Sequence, residues 1–229
     1  LQQPQMGIFD KFSKPKIWWA EISKLPRFSI EDKGLYSNNK CYFISSDKYD
    51  LLAILQSRLT WFCLSQLATP LRLRAGLWQY QLFTQFMERL PIPELSAKQE
   101  SDLAAIAEEI TRLAQLRYQH HEDMRRTILS EFNGDDISTR VALYRWWEMK
   151  NEKALSDEIK RRFGQEIPLG TRSEWRRFLA DQQAEHQRLT DDIIDLEIHM
   201  NDIVYDAFNL TPEERQLIEE TTKYPYGEV

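Results

Sequence analysis

The stretch Leu90-Pro91-Ile92-Pro93 divides the sequence into two parts with different hydrophobic patterns. Two prolines fix an extended backbone and cannot continue a helix. Apolar runs before them are short, as in small strands, whereas apolar residues after them recur every three or four positions, as in long helices. The sequence therefore predicts an α+β protein, with a small mixed α/β domain over residues 1–95 and a helical domain over residues 96–229.

The first part contains short apolar runs that are typical of strands. Ile17-Trp18-Trp19-Ala20 and Cys41-Tyr42-Phe43-Ile44 predict buried strands, and Phe28 and Ile30 predict a third. The third run leads into a polar turn at Glu31-Asp32-Lys33-Gly34. The pattern therefore favours a small sheet.

The first part also predicts one helix and a last strand. Asp50 is placed to cap a helix that runs to about Ala68. A strand from Leu71 to about Leu82 follows, and the lone Gly76 within it predicts a bulge or a close approach of the backbone. Sheet and helix together would form the small domain.

The second part predicts a long antiparallel helical hairpin of the coiled-coil type. Its apolar residues form two seams with alternating steps of three and four. The first seam contains Leu103, Ile106, Ile110, Leu113, Arg117, His120 and Met124, and the second contains Gln182, His186, Leu189, Ile193, Leu196, Met200, Ile203 and Ala207. Two such helices can bury their seams against each other. A helical insert is expected between them, over about residues 135–170.

Charge is unevenly distributed along the chain, whose net charge is −6. Residues 1–95 hold 12 Lys or Arg and 8 Asp or Glu, a balance of +4, and the other 134 residues hold 18 and 28, a balance of −10. This asymmetry predicts that the first part binds a polyanion and that the second is a solvated scaffold. Acidic helices are also ordinary protein surfaces, so the charge by itself leaves both interpretations open.

The sequence contains no recognisable catalytic motif. It has no Gly-x-Gly-x-x-Gly stretch, no Gly-Lys-Ser/Thr loop and no Asp/Asn-Pro-Pro-aromatic loop of the kind that amino-methyltransferases use. His120 and His121 are adjacent, and neighbours on a helix point about 100° apart, so they do not predict a metal site. We expect no catalytic residue, metal or cofactor in this chain.

The basic first part offers side chains that could read DNA. Reading requires cations for phosphates and planar hydrogen-bonding groups for base edges. On one strand, Arg72 and Arg74 share a face, and an irregularity at Gly76 could turn Gln79 and Gln81 to the same face. Arginine can bind guanine with two hydrogen bonds, and glutamine can bind adenine in the same way.

A second polar group surrounds the ends of the other strands and predicts phosphate contacts. It consists of Lys14, Lys16, Lys33, Asn38, Asn39 and Lys40. The other interpretation of both groups is a solvated strand face and a polar turn, and the pattern alone does not decide between them.

Several stretches of this chain occur together in one known family. They are Lys14-Pro15-Lys16-Ile17, Glu21-Ile22-Ser23, Tyr36, Asn38-Asn39, Tyr42-Phe43-Ile44, the helix from Leu52 to Phe62, Leu90-Pro91-Ile92-Pro93, Leu196-Glu197, Asn201-Asp202-Ile203-Val204-Tyr205 and Phe208-Asn209-Leu210-Thr211-Pro212-Glu213-Glu214. Over about residues 13–95 and 174–220, the chain resembles the TaqI-like C-terminal specificity domain, or target-recognition domain, of type IIG restriction–modification and adenine-specific DNA methyltransferases.

The resemblance implies that the chain is the DNA sequence-recognition fragment of a larger methyltransferase. In that family an N-terminal domain binds S-adenosylmethionine and methylates N6 of a flipped adenine. The implied partners are double-stranded DNA and this N-terminal methyltransferase domain of the same chain. Whether the parent also cuts DNA is left open.

The ends and hydropathy of the sequence suggest where the protein acts. The residues Leu1-Gln2-Gln3-Pro4-Gln5 lack an initiator Met, a basic start and an apolar signal core. No apolar run approaches the roughly 20 residues that span a bilayer. We expect a cytoplasmic fragment of a longer protein, without a membrane partner.

An alternative function is a helical assembly module that docks a nuclease or another partner subunit. The acidic balance of the second part and the pair Trp146-Trp147 within the insert favour it. An aromatic pair on a polar helix is often an interface anchor. Burial of the pair within the same chain is the other interpretation.

Overall fold

The elements of residues 10–228, the range that this computed structural model describes, confirm an α+β fold. The strands are β1 (Lys16–Ala20), β2 (Ile22–Ser23), β3 (Phe28–Glu31), β4 (Cys41–Ser45), β5 (Thr69–Arg74) and β6 (Leu77–Gln81). The α-helices are α1 (Tyr49–Gln56), α2 (Arg58–Leu67), α3 (Thr84–Met87), α4 (Ala97–Glu131), α5 (Glu152–Phe163), α6 (Arg172–Ala207) and α7 (Pro212–Thr221). Leu1-Gln2-Gln3-Pro4-Gln5, on which the expectation of a fragment partly rests, lies outside the described residues.

The first sheet has the order β3-β1-β4, with both outer strands antiparallel to β1. Ile17 and Trp19 of β1 and Phe28 of β3 are buried in one apolar cluster together with residues of α1 and α2. The three strands predicted from apolar runs are therefore confirmed. A sheet packed on helices buries one face and leaves strand ends in solvent.

The second sheet has the order β2-β6-β5 and corrects a prediction. The expected single strand from Leu71 to Leu82 is a hairpin, because the chain reverses at Ala75 and Gly76, whose φ angles are 50° and 77°. Two consecutive positive φ angles are typical of the tight turns whose twist matches that of paired strands. The irregularity in the ladder lies between Pro70 and Arg72, not at Gly76.

The predicted single helix from Asp50 to Ala68 is also wrong, because it is two helices. Ser57 has an extended backbone, with ψ of 153°, and its side chain accepts a hydrogen bond from the N–H of Thr60 at the start of α2. Serine competes with the helix in this way and favours caps. Lys48, rather than Asp50, occupies the N-cap position of α1, and Asp50 lies in the first turn.

The two long helices are antiparallel, as predicted. Ring and side-chain contacts join Arg117 to Thr190 at 3.1 Å and His120 to Gln182 at 2.9 Å, so residue numbers rise along α4 as they fall along α6. The predicted helical insert is present as the 3-10 helices Ala142–Glu148 and Leu169–Thr171 on either side of α5. Among the described residues, no helix is long and apolar enough to cross a membrane.

The chain divides into two compact units at positions inside the long helices. One unit contains residues up to Ile110 and from Ile194, and the other contains Thr111–Ile193. The predicted boundary after residue 95 does not separate the units, because the start of α4 and the end of α6 share an apolar cluster with α1 and α2. Whether residues 1–95 act as a separate functional domain stays a prediction.

The second unit buries the aromatic pair of the insert in its core. Trp146 is 0% exposed, and its indole N–H donates to the carbonyl oxygen of His121 at 3.4 Å. Trp147 stacks on the His121 ring at 3.8 Å between centroids. The pair therefore stabilises this unit rather than presenting an exposed anchor.

Two histidines of this core share one hydrogen bond. Nε2 of His121 and Nδ1 of His186 lie 2.8 Å apart. Burial, followed by the nearby charges of His186 and Arg125, lowers the pKa of His121 from 6.5 to about 3. Burial, followed by Arg117 and His120, lowers the pKa of His186 from 6.5 to about 4. Both rings are therefore neutral in the folded protein near pH 6.

These pKa values predict that acid destabilises the fold before its carboxylates titrate. Between pH 7 and 5.5 the unfolded chain binds protons at His121 and His186 but the folded chain does not, so stability falls as the pH falls. We expect a loss of about 1 kcal/mol over this range, a value reduced for partial exposure. Urea unfolding at both pH values measures it. His186→Gln should reduce the pH dependence, and replacement of the exposed His199 by Gln should not; equal slopes in all three proteins would contradict the assignment.

Candidate nucleic-acid interface

The ladder of the β5–β6 hairpin brings the four predicted base-reading residues onto one face. Arg72 pairs with Gln79, Arg74 pairs with Leu77, and Gln81 pairs with Thr69. Side chains two positions apart on a strand point the same way, and directly opposed residues share a face. Arg72, Arg74, Gln79 and Gln81 therefore line one face. The turn at Ala75-Gly76 produces this arrangement, whereas the sequence suggested a bulge.

The distal half of the hairpin is a two-stranded ribbon with solvent on both faces. Every residue of β5 is exposed. On the face opposite the arginines, Leu73 is 58% exposed and its partner Trp78 is 48% exposed. The base is fixed by Tyr80, whose ring meets the buried Trp61 ring edge-on at 5.7 Å. The major groove of B-DNA admits a two-stranded β-ribbon of this kind.

Arg72 is held in one orientation by its cross-strand partner. Its Nε–H donates to Oε1 of Gln79 at 2.8 Å. This bond leaves the two terminal nitrogens of the guanidinium group to bind another molecule. We had expected Gln79 to bind adenine through both ends of its amide, but the structure uses its oxygen to orient Arg72.

The positive charge of the ribbon is not neutralised by its own residues. The segment Thr69–Gln81 contains two arginines and no Asp or Glu. Neither Arg72 nor Arg74 forms an ion pair within residues 10–228. An exposed cation without a neighbouring carboxylate can bind a phosphate or a base edge without first breaking an ion pair.

Lys16 has to be removed from the predicted phosphate contacts. It is 0% exposed and forms a buried ion pair with Glu31 on the neighbouring strand. Its ammonium also donates to the carbonyl oxygen of Phe12 at 2.8 Å. Desolvation raises the pKa of Glu31, but hydrogen bonds from Lys16 and from the loop after β3 outweigh it, and the pKa lies below 4.5. Lys16 therefore stabilises the sheet.

The remaining predicted phosphate contacts lie at two ends of β1. Lys14 and Lys33 are exposed at the end where β1 begins, next to the Lys16–Glu31 pair. Lys40 is exposed at the other end, beside the Ala20–Cys41 pair. Four residue steps of a strand separate these ends, roughly 13 Å. The structure therefore does not form one cluster from them.

Lys40 is the group nearest to the ribbon along the hydrogen-bonded network. Glu21 donates its backbone N–H to the carbonyl oxygen of Lys40 and accepts the N–H of Leu82, which follows β6. Asn38 and Asn39 are exposed in the same loop, and the Asn38 side chain accepts the backbone N–H of Lys40 at 2.9 Å. The Lys40 ammonium forms an ion pair with Glu21 at 2.9 Å, which lowers its charge towards DNA.

Sequence reasoning missed two lysines that lie beside the ribbon. Lys24 and Lys223 line a cleft together with Trp78 and Tyr80. Lys24 could have been found because it directly follows β2. Lys223 comes from the far end of the chain, where no local pattern connects it to the hairpin.

The described residues were also compared with the needs of a metal site. Within residues 10–228, no group of three or more His, Cys, Asp or Glu side chains is arranged to hold a metal ion. No residue of the ribbon supplies a nucleophile or a paired acid and base. The chemistry of this surface is therefore hydrogen bonding and charge.

Comparison with known proteins gives one partial match. A family model described as a domain of unknown function (DUF8810) matches residues 96–204, which is just under half of the chain. The matched range contains α4, the insert and most of α6, and it leaves the ribbon outside. No curated protein and no solved structure matches this chain.

The turn at the tip of the ribbon is strained, which gives a test of the hairpin. Ala75 has a φ of 50°, which costs a non-glycine residue about 1 kcal/mol. Ala75→Asn should relieve part of this cost and slow amide hydrogen exchange in β5 and β6 roughly threefold. Gly76→Ala should accelerate exchange, because φ there is 77° and a Cβ would meet nothing within 4 Å that could compensate. Exchange that is unchanged in both variants would contradict the turn.

Proposed function

We propose that this chain is the DNA sequence-recognition fragment of an adenine-specific (N6), S-adenosylmethionine-dependent DNA methyltransferase of restriction–modification or phage-defence type. The observation that carries the proposal is the exposed, acid-free ribbon on which Gln79 orients Arg72 beside Arg74. The resemblance of residues 13–95 and 174–220 to target-recognition domains supports the same class.

In this proposal the ribbon enters the major groove of double-stranded DNA. Arg72 and Arg74 bind base edges, because guanidinium groups bind the O6 and N7 atoms of guanine with two hydrogen bonds. Lys14, Lys33 and Lys40 lie outside the ribbon and supply phosphate contacts, which position the protein without reading sequence.

The chemistry is proposed to belong to the N-terminal methyltransferase domain that the resemblance implies. That domain would bind S-adenosylmethionine and methylate adenine after the base has left the stack. The present chain would select the sequence at which this happens, in the cytoplasm. Its own residues supply binding and orientation.

The alternative function, a helical module that docks a nuclease or partner subunit, keeps less support. Its aromatic argument is lost because Trp146 is buried within the same unit. The acidic balance of the residues after position 95 remains, and it favours a placement of the helices away from DNA. Docking to the rest of the parent protein is compatible with DNA recognition by the ribbon.

A binding experiment with charge-matched variants tests the proposal. The full chain should bind a labelled random-sequence duplex, and Arg72→Ala/Arg74→Ala should weaken this binding roughly tenfold and reduce its salt dependence, because two phosphate or base contacts are lost. Fluorescence anisotropy at several salt concentrations measures both quantities.

The matched control is Arg140→Ala/Arg177→Ala, which removes the same charge from exposed arginines of the other unit. This variant should bind as the unmodified chain does. Equal weakening by both double variants would mean that net charge, rather than the ribbon, drives binding. No weakening by the ribbon variant would remove the ribbon from the interface.

A further inference from the structure

We infer that the ribbon recognises two guanines on the same DNA strand with one unread base pair between them. This inference rests on the proposed function and adds the sequence that the site selects. It follows from the register of the hairpin, from the directions of three consecutive side chains of β5 and from the bond that orients Arg72.

The register shows that the strand is regular where the arginines lie. Arg72, Leu73 and Arg74 pair in turn with Gln79, Trp78 and Leu77, and the irregularity of the ladder lies before Arg72. Residues two apart in a regular strand are separated by about 6.8 Å.

This separation matches the spacing of bases in DNA. Successive bases of one strand of B-DNA are about 3.4 Å apart along the axis, so two steps span about 6.8 Å. A ribbon that lies along the major groove therefore places Arg72 and Arg74 over bases two steps apart. A ribbon that crosses the groove could not give both arginines a base.

The residue between the arginines leaves the middle base pair unread. Leu73 points to the opposite face of the ribbon, where it pairs with Trp78. It has no polar side-chain atom in any case. Any base pair is therefore accepted between the two guanines, as far as β5 is concerned.

Guanine is the expected base at both positions. Its major-groove edge presents two acceptors, N7 and O6, and the guanidinium group is a planar donor that matches them. The terminal nitrogens of Arg72 are directed outward because its Nε is already bound to Gln79. No carboxylate within Thr69–Gln81 competes for either arginine.

Gln79 acts in this scheme as a positioning residue. Its Oε1 accepts the Nε–H of Arg72 at 2.8 Å, and a glutamate oxygen at the same place could accept it too. Leucine has a similar size but no acceptor. Gln81 lies beyond the irregularity, opposite Thr69, so the register does not tie it to the same two bases.

The experiment is a selection of bound duplexes from a pool with a randomised central region, carried out with the full chain. We expect the bound sequences to share two guanines on one strand, two steps apart, with all four bases between them. Arg72→Ala should lose the preference at one guanine, and Arg74→Ala should lose it at the other, each by roughly tenfold or more. Lys14→Ala should weaken all sequences alike.

Variants at position 79 separate positioning from a merely structural role. Gln79→Leu should relax the same guanine as Arg72→Ala and leave the other one selected, and Gln79→Glu should restore the preference. If Gln79→Leu relaxes both guanines equally, or Gln79→Glu restores nothing, the positioning role is refuted.

The outcomes also separate this inference from the proposed function. Enrichment of a sequence with another spacing, or loss of the same guanine in both arginine variants, overturns the inference and leaves DNA recognition intact. A pool from which no duplex is bound overturns both. Two guanines two steps apart, each assigned to its own arginine, support the inference.

Discussion

The reversal of the chain at Ala75 and Gly76 is the constraint on which the candidate interface depends. Two positive φ angles in succession turn what the sequence presents as one strand into two, and they place Gln79 directly opposite Arg72. Without that turn the glutamine would lie seven residues farther along an extended chain, out of reach of the guanidinium group. Only the base of the ribbon is held by the core, through the contact of Tyr80 with Trp61.

The basic residues of the first part serve two different purposes. Lys16 and Arg58 are buried: Lys16 forms an ion pair within the sheet, and Arg58 binds the carbonyl oxygens of Thr222 and Tyr224 and so ties the last described segment to α2. Arg72 and Arg74 are exposed and without carboxylate partners. The balance of +4 in residues 1–95 therefore overstates the charge available to a polyanion, and the distribution of that charge over the surface matters more than its sum.

The sequence predicted the parts of the fold that depend on local periodicity. The strand at Ile17-Trp18-Trp19-Ala20 and the two long helices follow from repeats that neighbouring residues display by themselves. The hairpin was missed because Ala75-Gly76 is not the Asn-Gly or Asp-Gly signal of a two-residue turn. The burial of Lys16 was missed because it depends on pairing with Glu31, fifteen residues away, which no local pattern specifies.

The most direct test of the central claim is nuclear magnetic resonance of the full chain titrated with a duplex of randomised sequence. If the ribbon is the DNA-binding surface, the side-chain Nε–H signals of Arg72 and Arg74 and the amides of Thr69–Gln81 should shift first and most, with smaller shifts near Lys40. Shifts that are confined to Thr111–Ile193, with the ribbon unchanged at saturation, would contradict this account.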